Sequence, residues 1–232
     1  KPISAEEMDD HVLLSIASPE GVVSVRCKLL CGADGAHSWV RRRFKMGRPK
    51  ELMIGFQVEV TGYKGEQGRL DMYTGSGYSP GFFAWAIPSG ETTRIGTWSK
   101  PELMGGGSCE QLLDRLRAEP LWSERFSECR EVGRFCGPIP SGLVKRPMRG
   151  RVVLFGDAAG LCKPTTGGGI GPGFMQVEML VPSLLGCLNR DDFTEASVKE
   201  VIDLLEPIRR EQNRARALRD AFLTEMTDDE LD

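Results

Sequence analysis

The segment 151–174, RVVLFGDAAGLCKPTTGGGIGPGF, constrains the fold of this chain more than any other stretch. Its first five residues are apolar and β-branched enough to predict a short buried strand of the kind found inside a parallel sheet. A glycine turn follows at once, and a second glycine run at 165–169 precedes a helix predicted from Gly171 onward. The segment therefore predicts a strand, a sharp turn, a loop of bare backbone and a helix.

The turn at 156–160 carries one polar side chain. Gly156 and Gly160 allow a ligand to approach the backbone closely, and Ala158 and Ala159 add only methyl groups. A carboxylate repels phosphate but accepts hydrogen bonds from hydroxyls, so Asp157 is predicted to bind a polyol or ribose-like part of a ligand. The alternative is an ordinary strand, turn and helix whose glycines serve packing only.

The second glycine run strengthens the ligand interpretation. Its bare N–H groups lie at the start of the predicted helix, where the positive end of the helix dipole can face negative charge that develops on a ligand.

The sequence GDAAGLCKPTTGGGI at 156–170 resembles the flavin-contacting signature of the geranylgeranyl reductases. These are FAD-dependent enzymes within the p-hydroxybenzoate-hydroxylase-like group of flavoproteins, and KPTTGGG is the more specific part of the match. A flavin ring gains negative charge when it accepts hydride, which suits the glycine loop. The FAD-binding residues implied by the resemblance are Gly156, Asp157, Ala158, Gly160, Thr166, Gly167, Gly168, Gly169 and Ile170.

A second motif, GADGAHSWVRRRF at 32–44, resembles the GADGxxSxVR motif of the same group. There the aspartate loop contacts the riboflavin half of FAD, which implies that Gly32, Asp34 and Gly35 bind the cofactor. Ser38 is predicted to begin a basic helix. The basic residues at 41–45 are interpreted mainly as a solvated helix face, and the alternative is contact with the anionic surface of a membrane.

The resemblance also implies an N-terminal βαβ unit with a G-x-G-x-x-G turn for the FAD pyrophosphate. The chain contains no such segment. We therefore expect that Lys1 is not the natural start, and that a truncated, catalytically inert fragment is one alternative for the chain by itself.

Residues 52–60, 69–73, 82–88 and 93–98 alternate and are punctuated by glycine, which predicts a mostly antiparallel sheet. Ser108 and Gln111 form a predicted capping box for a helix at 109–118. The fold class is α/β and α+β, namely the C-terminal part of a p-hydroxybenzoate-hydroxylase-like FAD-binding fold with an inserted antiparallel substrate domain and C-terminal helices. The expected divisions are a partial FAD-binding domain at 1–48, the substrate domain at 49–140, a second FAD-binding part at 141–190 and a helical segment at 191–232.

The stretch PGFFAWAIP at 80–88 resembles PxxYxWxFP, the substrate-pocket motif of the geranylgeranyl reductases. Strand alternation places Phe83, Trp85 and Ile87 on one face and Phe82 on the other. With Pro88, those three residues are the implied substrate-binding set. Phe83 replaces the tyrosine of the motif, which removes a phenol and leaves an apolar lining. The alternative is plain sheet core.

Two further residues bear on the flavin loop. Pro182 is expected to kink or end the helix that follows the loop. Cys162 is interpreted as a small packing residue, not as a proton donor, so no catalytic residue is named.

Composition excludes several classes of function. A formal net charge of -3 gives no electrostatic reason to expect nucleic acid. Seven cysteines without paired zinc-type spacing, and two histidines, indicate a reducing compartment and no metal site. No apolar run approaches the ~20 residues needed to span a bilayer. We expect a cytoplasmic protein, with a peripheral membrane contact as the alternative.

The predicted activity is therefore that of an FAD-dependent oxidoreductase that reduces carbon–carbon double bonds in prenyl chains. The resemblance implies a prenylated small-molecule or lipid substrate and an electron donor that is either NAD(P)H or a ferredoxin-like protein. A flavin monooxygenase of the same group, acting on an aromatic ring with oxygen, is the other alternative.

Overall fold

The computed structural model describes residues 1–66 and 68–231. Its strands are β1 (Pro2–Glu7), β2 (Val12–Ser18), β3 (Gly21–Cys27), β4 (Leu30–Gly32), β5 (Glu51–Thr61), β6 (Asp71–Tyr73), β7 (Ala84–Ser89), β8 (Thr92–Ser99), β9 (Arg130–Ser141), β10 (Met148–Arg149) and β11 (Val152–Leu154). Its helices are α1 (Trp39–Arg43), α2 (Cys109–Ala118), α3 (Ser123–Phe126), α4 (Ile170–Arg190), α5 (Glu195–Asp203), α6 (Glu206–Arg219) and α7 (Asp228–Leu231).

The chain forms two compact units, and each unit is built from two separate stretches of sequence. Unit 1 comprises Lys1–Glu51 and Pro140–Arg214, and unit 2 comprises Leu52–Ile139 and Ala215–Asp232. Both motifs that resemble flavin-binding signatures lie in unit 1, whereas the 80–88 motif lies in unit 2.

Unit 1 contains two small sheets. Strands β1, β2 and β3 form an antiparallel meander. In the other sheet, β11 lies between β10 and β4, and it pairs in parallel with β4. All three residues of β11 are fully buried, so the prediction of a short buried strand is confirmed. Helices α4, α5 and α6 contribute apolar residues to the same core.

Helix α4 is continuous from Ile170 to Arg190, so it does not end at Pro182, and the alternative expectation of a kink there stays a prediction. Pro182 lies on the exposed face, and it lacks the N–H that would bond to the carbonyl four residues earlier. Leu180 and Leu184 are buried on either side of it. Their packing holds the helix together across the missing hydrogen bond.

Unit 2 is a five-stranded sheet in the order β6-β7-β8-β5-β9, and its pairs β6-β7, β7-β8 and β5-β8 are antiparallel. Helix α2 packs on the sheet through apolar residues that join its core cluster. Its predicted capping box is confirmed, because the N–H of Gln111 donates to Ser108 Oγ at 3.2 Å and the N–H of Ser108 donates to Gln111 Oε1 at 3.0 Å. Among the described residues, no helix is both long and apolar enough to cross a membrane.

Candidate functional site: two turns at paired strand ends

The two predicted turns in unit 1 follow neighbouring strands. Gly32, at the end of β4, pairs with Leu154, at the end of β11, and the N–H of Phe155 donates to the carbonyl oxygen of Gly32 at 2.9 Å. Because the strands are parallel, both turns leave from the same edge of the sheet. The structure thus brings together the segments that contain Asp34 and Asp157.

The first turn, which follows β4 and contains Asp34 and Gly35, packs tightly and caps helix α1. A Cβ added at Gly32 would lie 2.8 Å from Leu154 Cδ2 and 2.9 Å from Val40 Cβ, so this position requires glycine. Gly35 has a left-handed φ of 77°. The Oδ2 atom of Asp34 accepts hydrogen bonds from the N–H groups of Trp39 at 2.6 Å and Val40 at 3.1 Å. One carboxylate oxygen of Asp34 therefore holds the start of α1.

Ser38 is the N-cap of α1, as predicted, and accepts from the N–H of Arg41 at 2.9 Å. The interpretation of residues 41–45 as a solvated face is wrong for Arg41, which is only 8% exposed. Its guanidinium donates to the carbonyl oxygens of Ala158 at 2.7 Å and Ala36 at 2.5 Å. Arg41 thus ties the two turns together, whereas Arg42 is exposed as expected.

The second turn is a short 3-10 turn, Gly156–Ala159, whose flanking glycines adopt left-handed backbone. Gly156 has a φ of 56° and Gly160 a φ of 82°. A Cβ at Gly160 would lie 2.7 Å from the carbonyl oxygen of Gly142, so no side chain fits there. Ala158 is fully buried in the core, and its carbonyl oxygen accepts from Arg41, so the structure places this predicted cofactor-binding residue under the surface of the turn.

Two buried glutamines hold this turn, and neither is indicated by a sequence motif. Gln176 on α4 accepts from the N–H of Gly156 at 2.9 Å and donates to the carbonyl oxygen of Leu154 at 2.8 Å. Gln212 on α6 donates to the carbonyl oxygen of Gly160 at 3.0 Å and accepts from the N–H of Leu143 at 2.7 Å. Glutamine on a helix is usually solvated, so only the tertiary packing reveals these contacts.

Asp157 lies half-buried between Cys162 and Gly169. The thiol of Cys162 donates to Asp157 Oδ1 at 3.2 Å. A Cβ added at Gly169 would lie 2.7 Å from the same oxygen. Burial raises the pKa of the Cys162 thiol, and the neighbouring Asp157 carboxylate raises it further, so the thiol stays protonated and can donate.

The glycine loop at 165–169 is partly exposed to solvent and leads into α4. The N–H of Lys163 donates to the carbonyl oxygen of Gly168 at 3.1 Å, and the N–H of Gly167 donates to the carbonyl oxygen of Lys163 at 2.9 Å. Thr166 and Gly168 are exposed, and the Ile170 side chain is 78% exposed.

Helix α4 begins directly after this loop and has no side chain at its N-terminal cap, which is Gly169. The first N–H groups of any α-helix have no partner within the helix, and the positive end of the dipole lies there. The loop and the helix start can therefore offer backbone donors to negative charge beside the Asp157 carboxylate.

The predicted substrate residues lie on β7 and just before it, in unit 2. Phe83 and Trp85 belong to one apolar cluster, with ring centroids 6.2 Å apart. The indole N–H of Trp85 donates to Gln57 Oε1 at 3.2 Å, and the ring lies over Gly96, where an added Cβ would be 2.4 Å from Trp85 Cζ2. The orientation of Trp85 is thus set by Gln57 on β5 and Gly96 on β8.

The other members of the 80–88 motif lie apart from this pair. Ile87 and Pro88 are exposed towards the end of β7. The expected placement of Phe82 on the opposite face is wrong, because Phe82 packs in the same cluster as Phe83, with its ring 4.5 Å from that of Trp98. Strand alternation does not apply to Phe82, since β7 begins only at Ala84.

The chain has named relatives but no match to a protein-family model. Over 160 residues it is 31% identical to digeranylgeranylglycerophospholipid reductase 2 of Methanothermobacter thermautotrophicus, which covers 66% of this chain and 39% of that protein. Digeranylgeranylglycerophospholipid reductase 1 of the same organism is 27% identical over 233 residues, covering 98% of this chain and 57% of that protein. The expected resemblance to geranylgeranyl reductases is confirmed, and the chain spans about half the length of these relatives or less.

Two solved structures show the fold. A geranylgeranyl bacteriochlorophyll reductase-like protein of Thermoplasma acidophilum superposes with a TM-score of 0.87 at 20% identity, covering 100% of this chain and 59% of that one. A variant of the halogenase PltM in complex with FAD superposes with a TM-score of 0.72 at 14% identity, covering 97% of this chain and 48% of that one. The predicted fold class is confirmed by these likenesses.

Proposed function

We propose that the full-length protein is an FAD-dependent oxidoreductase that reduces carbon–carbon double bonds in prenyl chains, as the names of its relatives suggest. One structural observation carries the proposal. The carboxylate of Asp157, in the turn after β11, lies against Gly169, where the glycine loop at 165–169 meets the uncapped start of α4.

The residues present fit the riboflavin half of FAD. Cβ atoms added at Gly156 and Gly171 would meet nothing within 4 Å, so a flat group can lie against the backbone there. Asp157 supplies a carboxylate, which accepts from hydroxyls such as those of a ribityl chain. The start of α4 supplies N–H groups for a ring that becomes negatively charged.

Reduced FAD, when bound, would supply a hydride to one carbon of the alkene, and a proton would complete the other carbon. The N–H groups around Gly168, Gly169 and Ile170 are assigned to stabilise negative charge, and Asp157 is assigned to hold a hydroxyl of the cofactor. Asp34 keeps the first turn in place by capping α1. Arg41 and the two glutamines keep the turns rigid, which lowers the reorganisation needed when charge develops.

We assign the prenyl chain to the sheet of unit 2. Phe83 and Trp85 present an aromatic surface, and the bond to Gln57 fixes the Trp85 ring. Ile87 and Pro88, exposed towards the end of β7 and apart from that pair, are assigned as further apolar contacts for the chain. Since position 83 carries no phenol, the proposed contact with substrate there is hydrophobic only.

We also propose that electrons reach the flavin from NAD(P)H or a ferredoxin-like protein, and that the protein is cytoplasmic and meets the membrane peripherally. The seven cysteines are all free, which suits a reducing compartment. The exposed basic residues Arg42 and Lys45 suit the anionic surface where lipid substrates lie.

The test is to purify the full-length protein and record the visible absorbance of bound flavin. The flavin is then reduced with dithionite without oxygen, and geranylgeranyl diphosphate or a digeranylgeranyl glycerophospholipid is added. We expect the flavin absorbance to return, and mass spectrometry to show a lipid that has gained two hydrogens for each double bond reduced. A Trp85→Leu variant should bind flavin normally and show a higher KM for the lipid.

Other outcomes separate the alternatives. Oxygen consumption coupled to hydroxylation of an aromatic compound supports a monooxygenase. Bound flavin that stays reduced with every prenylated lipid contradicts the proposed substrate class. A full-length protein that retains no FAD contradicts the cofactor assignment. FAD binding by the full-length protein but not by the 232-residue chain identifies the chain as an inert fragment.

A further inference from the structure

Cys162 follows the second turn of unit 1 and contacts its carboxylate directly. The thiol donates to Asp157 Oδ1 at 3.2 Å, and the residue is 3% exposed. Its backbone is held on both sides, since its N–H donates to the carbonyl oxygen of Pro140 at 3.1 Å and its carbonyl oxygen accepts from Gln212 Nε2 at 3.4 Å. The thiol is therefore fixed in position relative to Asp157.

Gly169 closes the other side of the same carboxylate. A Cβ added at Gly169 would lie 2.7 Å from Asp157 Oδ1 and 3.5 Å from Cys162 Sγ. The Oδ1 atom is thus enclosed by the thiol and the start of α4. This arrangement restricts the rotamer of Asp157 and leaves its second oxygen as the one able to serve a ligand.

We infer that Cys162 is a positioning residue, whose thiol holds the Asp157 carboxylate in the orientation that binds a hydroxyl of the flavin cofactor. The inference rests on the proposed function, because it concerns how the same site holds FAD. It assigns to Cys162 a role beyond packing, and the thiol neither reacts nor transfers a proton.

The chemistry of the pair suits a fixed donor. Burial and the neighbouring carboxylate keep the thiol protonated, so Asp157 faces a neutral donor and not a second negative charge. A hydrogen bond to a charged group is stronger than one between neutral groups, even from a weak donor such as a thiol. Serine at this position preserves a donor, whereas alanine removes it.

The experiment uses the full-length protein with its flavin removed, titrated with FAD while flavin fluorescence is followed. We expect Cys162→Ala to weaken FAD binding about tenfold and Cys162→Ser to stay within about threefold of the wild type, as a hydrogen bond to a carboxylate predicts. Cys187→Ala is the matched control, because Cys187 is also 3% exposed and lies in the core of unit 1. It should lower the melting temperature without changing FAD affinity.

A double-mutant cycle with Asp157→Ala tests whether Cys162 acts through the carboxylate, because alanine removes the oxygen that accepts from the thiol. On the Asp157→Ala background, Cys162→Ala should change FAD affinity by less than about twofold, since the interaction is already lost. If Cys162→Ala does not fold, Cys162→Val fills the volume without a donor and takes its place in the cycle.

The outcomes distinguish this inference from the proposed function. The positioning role would be overturned if Cys162→Ala weakened FAD binding equally in the wild type and in the Asp157 variant. It would also be overturned if Cys162→Ala bound FAD as tightly as the wild type. In both cases FAD binding by the wild type would still support the proposed function. A serine variant as weak as the alanine variant would also overturn it. Wild-type protein that binds no FAD would overturn both.

Discussion

The Cα atom of Gly169 faces the carboxylate of Asp157 so closely that an added methyl carbon would lie 2.7 Å from Oδ1. Gly169 has a φ of -101° and a ψ of -21°, which alanine adopts without strain. The requirement for glycine at position 169 is therefore steric, and an alanine substitution, which adds one carbon atom, tests it.

We expect Gly169→Ala to weaken FAD binding by about tenfold or more, because overpacking by one methyl group costs about 1–3 kcal/mol and displaces Asp157 or the loop. Fluorescence titration of the full-length protein measures the change. Gly173→Ala is the control, since its added Cβ would meet nothing within 4 Å. Similar losses in both variants would contradict the close contact.

Replacing Arg41 should weaken the fold of unit 1. Arg41→Met removes the hydrogen bonds to Ala158 and Ala36, and we expect the free energy of unfolding to fall by about 2–4 kcal/mol in urea titrations. Arg41→Lys should not restore stability, because a single ammonium group cannot reproduce the planar guanidinium, which donates to two carbonyl oxygens through separate nitrogens.

The control for Arg41 is its neighbour on the same helix. Arg42 is exposed, so Arg42→Met should change the free energy of unfolding by less than about 0.5 kcal/mol. A loss in Arg42→Met as large as in Arg41→Met would show that the helix needs positive charge and not the two specific contacts.

The aromatic surface of unit 2 depends on Gly96. In Gly96→Ala the new Cβ would lie 2.4 Å from Trp85 Cζ2 and 2.8 Å from the carbonyl oxygen of Phe56. We expect a loss of about 3 kcal/mol in the free energy of unfolding, together with a shift in tryptophan fluorescence, because the ring and the strand must both move.

Gly133→Ala provides a comparison within the same sheet. Its added Cβ would make only ordinary contacts, 3.5 Å from Phe135 Cε2 and 3.8 Å from Glu59 Cβ. It should leave the tryptophan spectrum unchanged and cost far less stability. A spectrum altered equally by both substitutions would mean that Trp85 does not rest on Gly96.

Cys109 gives unit 2 a defined dependence on alkaline pH. Burial raises the pKa of its thiol from 9.0 to about 11 in the folded protein. The stability from the protonated thiol is fully present below the unfolded pKa and is lost as the pH rises towards 11. Between about pH 8 and about pH 10.5 we expect this group to remove about 2 kcal/mol from the free energy of unfolding.

Urea titrations of the wild type and of Cys109→Ala across that range measure the contribution. The variant is less stable at neutral pH, since a buried side chain is shortened, but its stability should fall less steeply with pH. Parallel curves for the two proteins would contradict a raised thiol pKa.

The sequence predicts the local structure of both units well. Three local features are confirmed, namely the strand before Gly156, the cap at Ser38 and the capping box of α2. Each depends on residues close in sequence, so hydrophobic periodicity and capping preferences are sufficient to predict them. A helix end at Pro182, one of the two outcomes expected there, does not occur, because burial of Leu180 and Leu184 in the core of unit 1 outweighs the local effect of the proline.

Sequence reasoning misses the buried polar residues that hydrogen-bond to the two turns of the candidate site. Gln176, Gln212 and Arg41 look like polar residues of solvated helix faces, yet each is buried and bonded to backbone far away in sequence. A glutamine that satisfies a buried carbonyl has no local pattern that distinguishes it from an exposed one. Such residues are found only when the turn that needs them is located in space.

The parallel pairing of Gly32 with Leu154 also affects how the protein reaches its native state. These partners lie about 120 residues apart, so their pairing must close a long loop before any local gain offsets the lost chain entropy. The meander of β1, β2 and β3 and the sheet of unit 2 use shorter separations and are expected to form earlier. Ligand-binding ability should therefore appear late in refolding, after most secondary structure is in place.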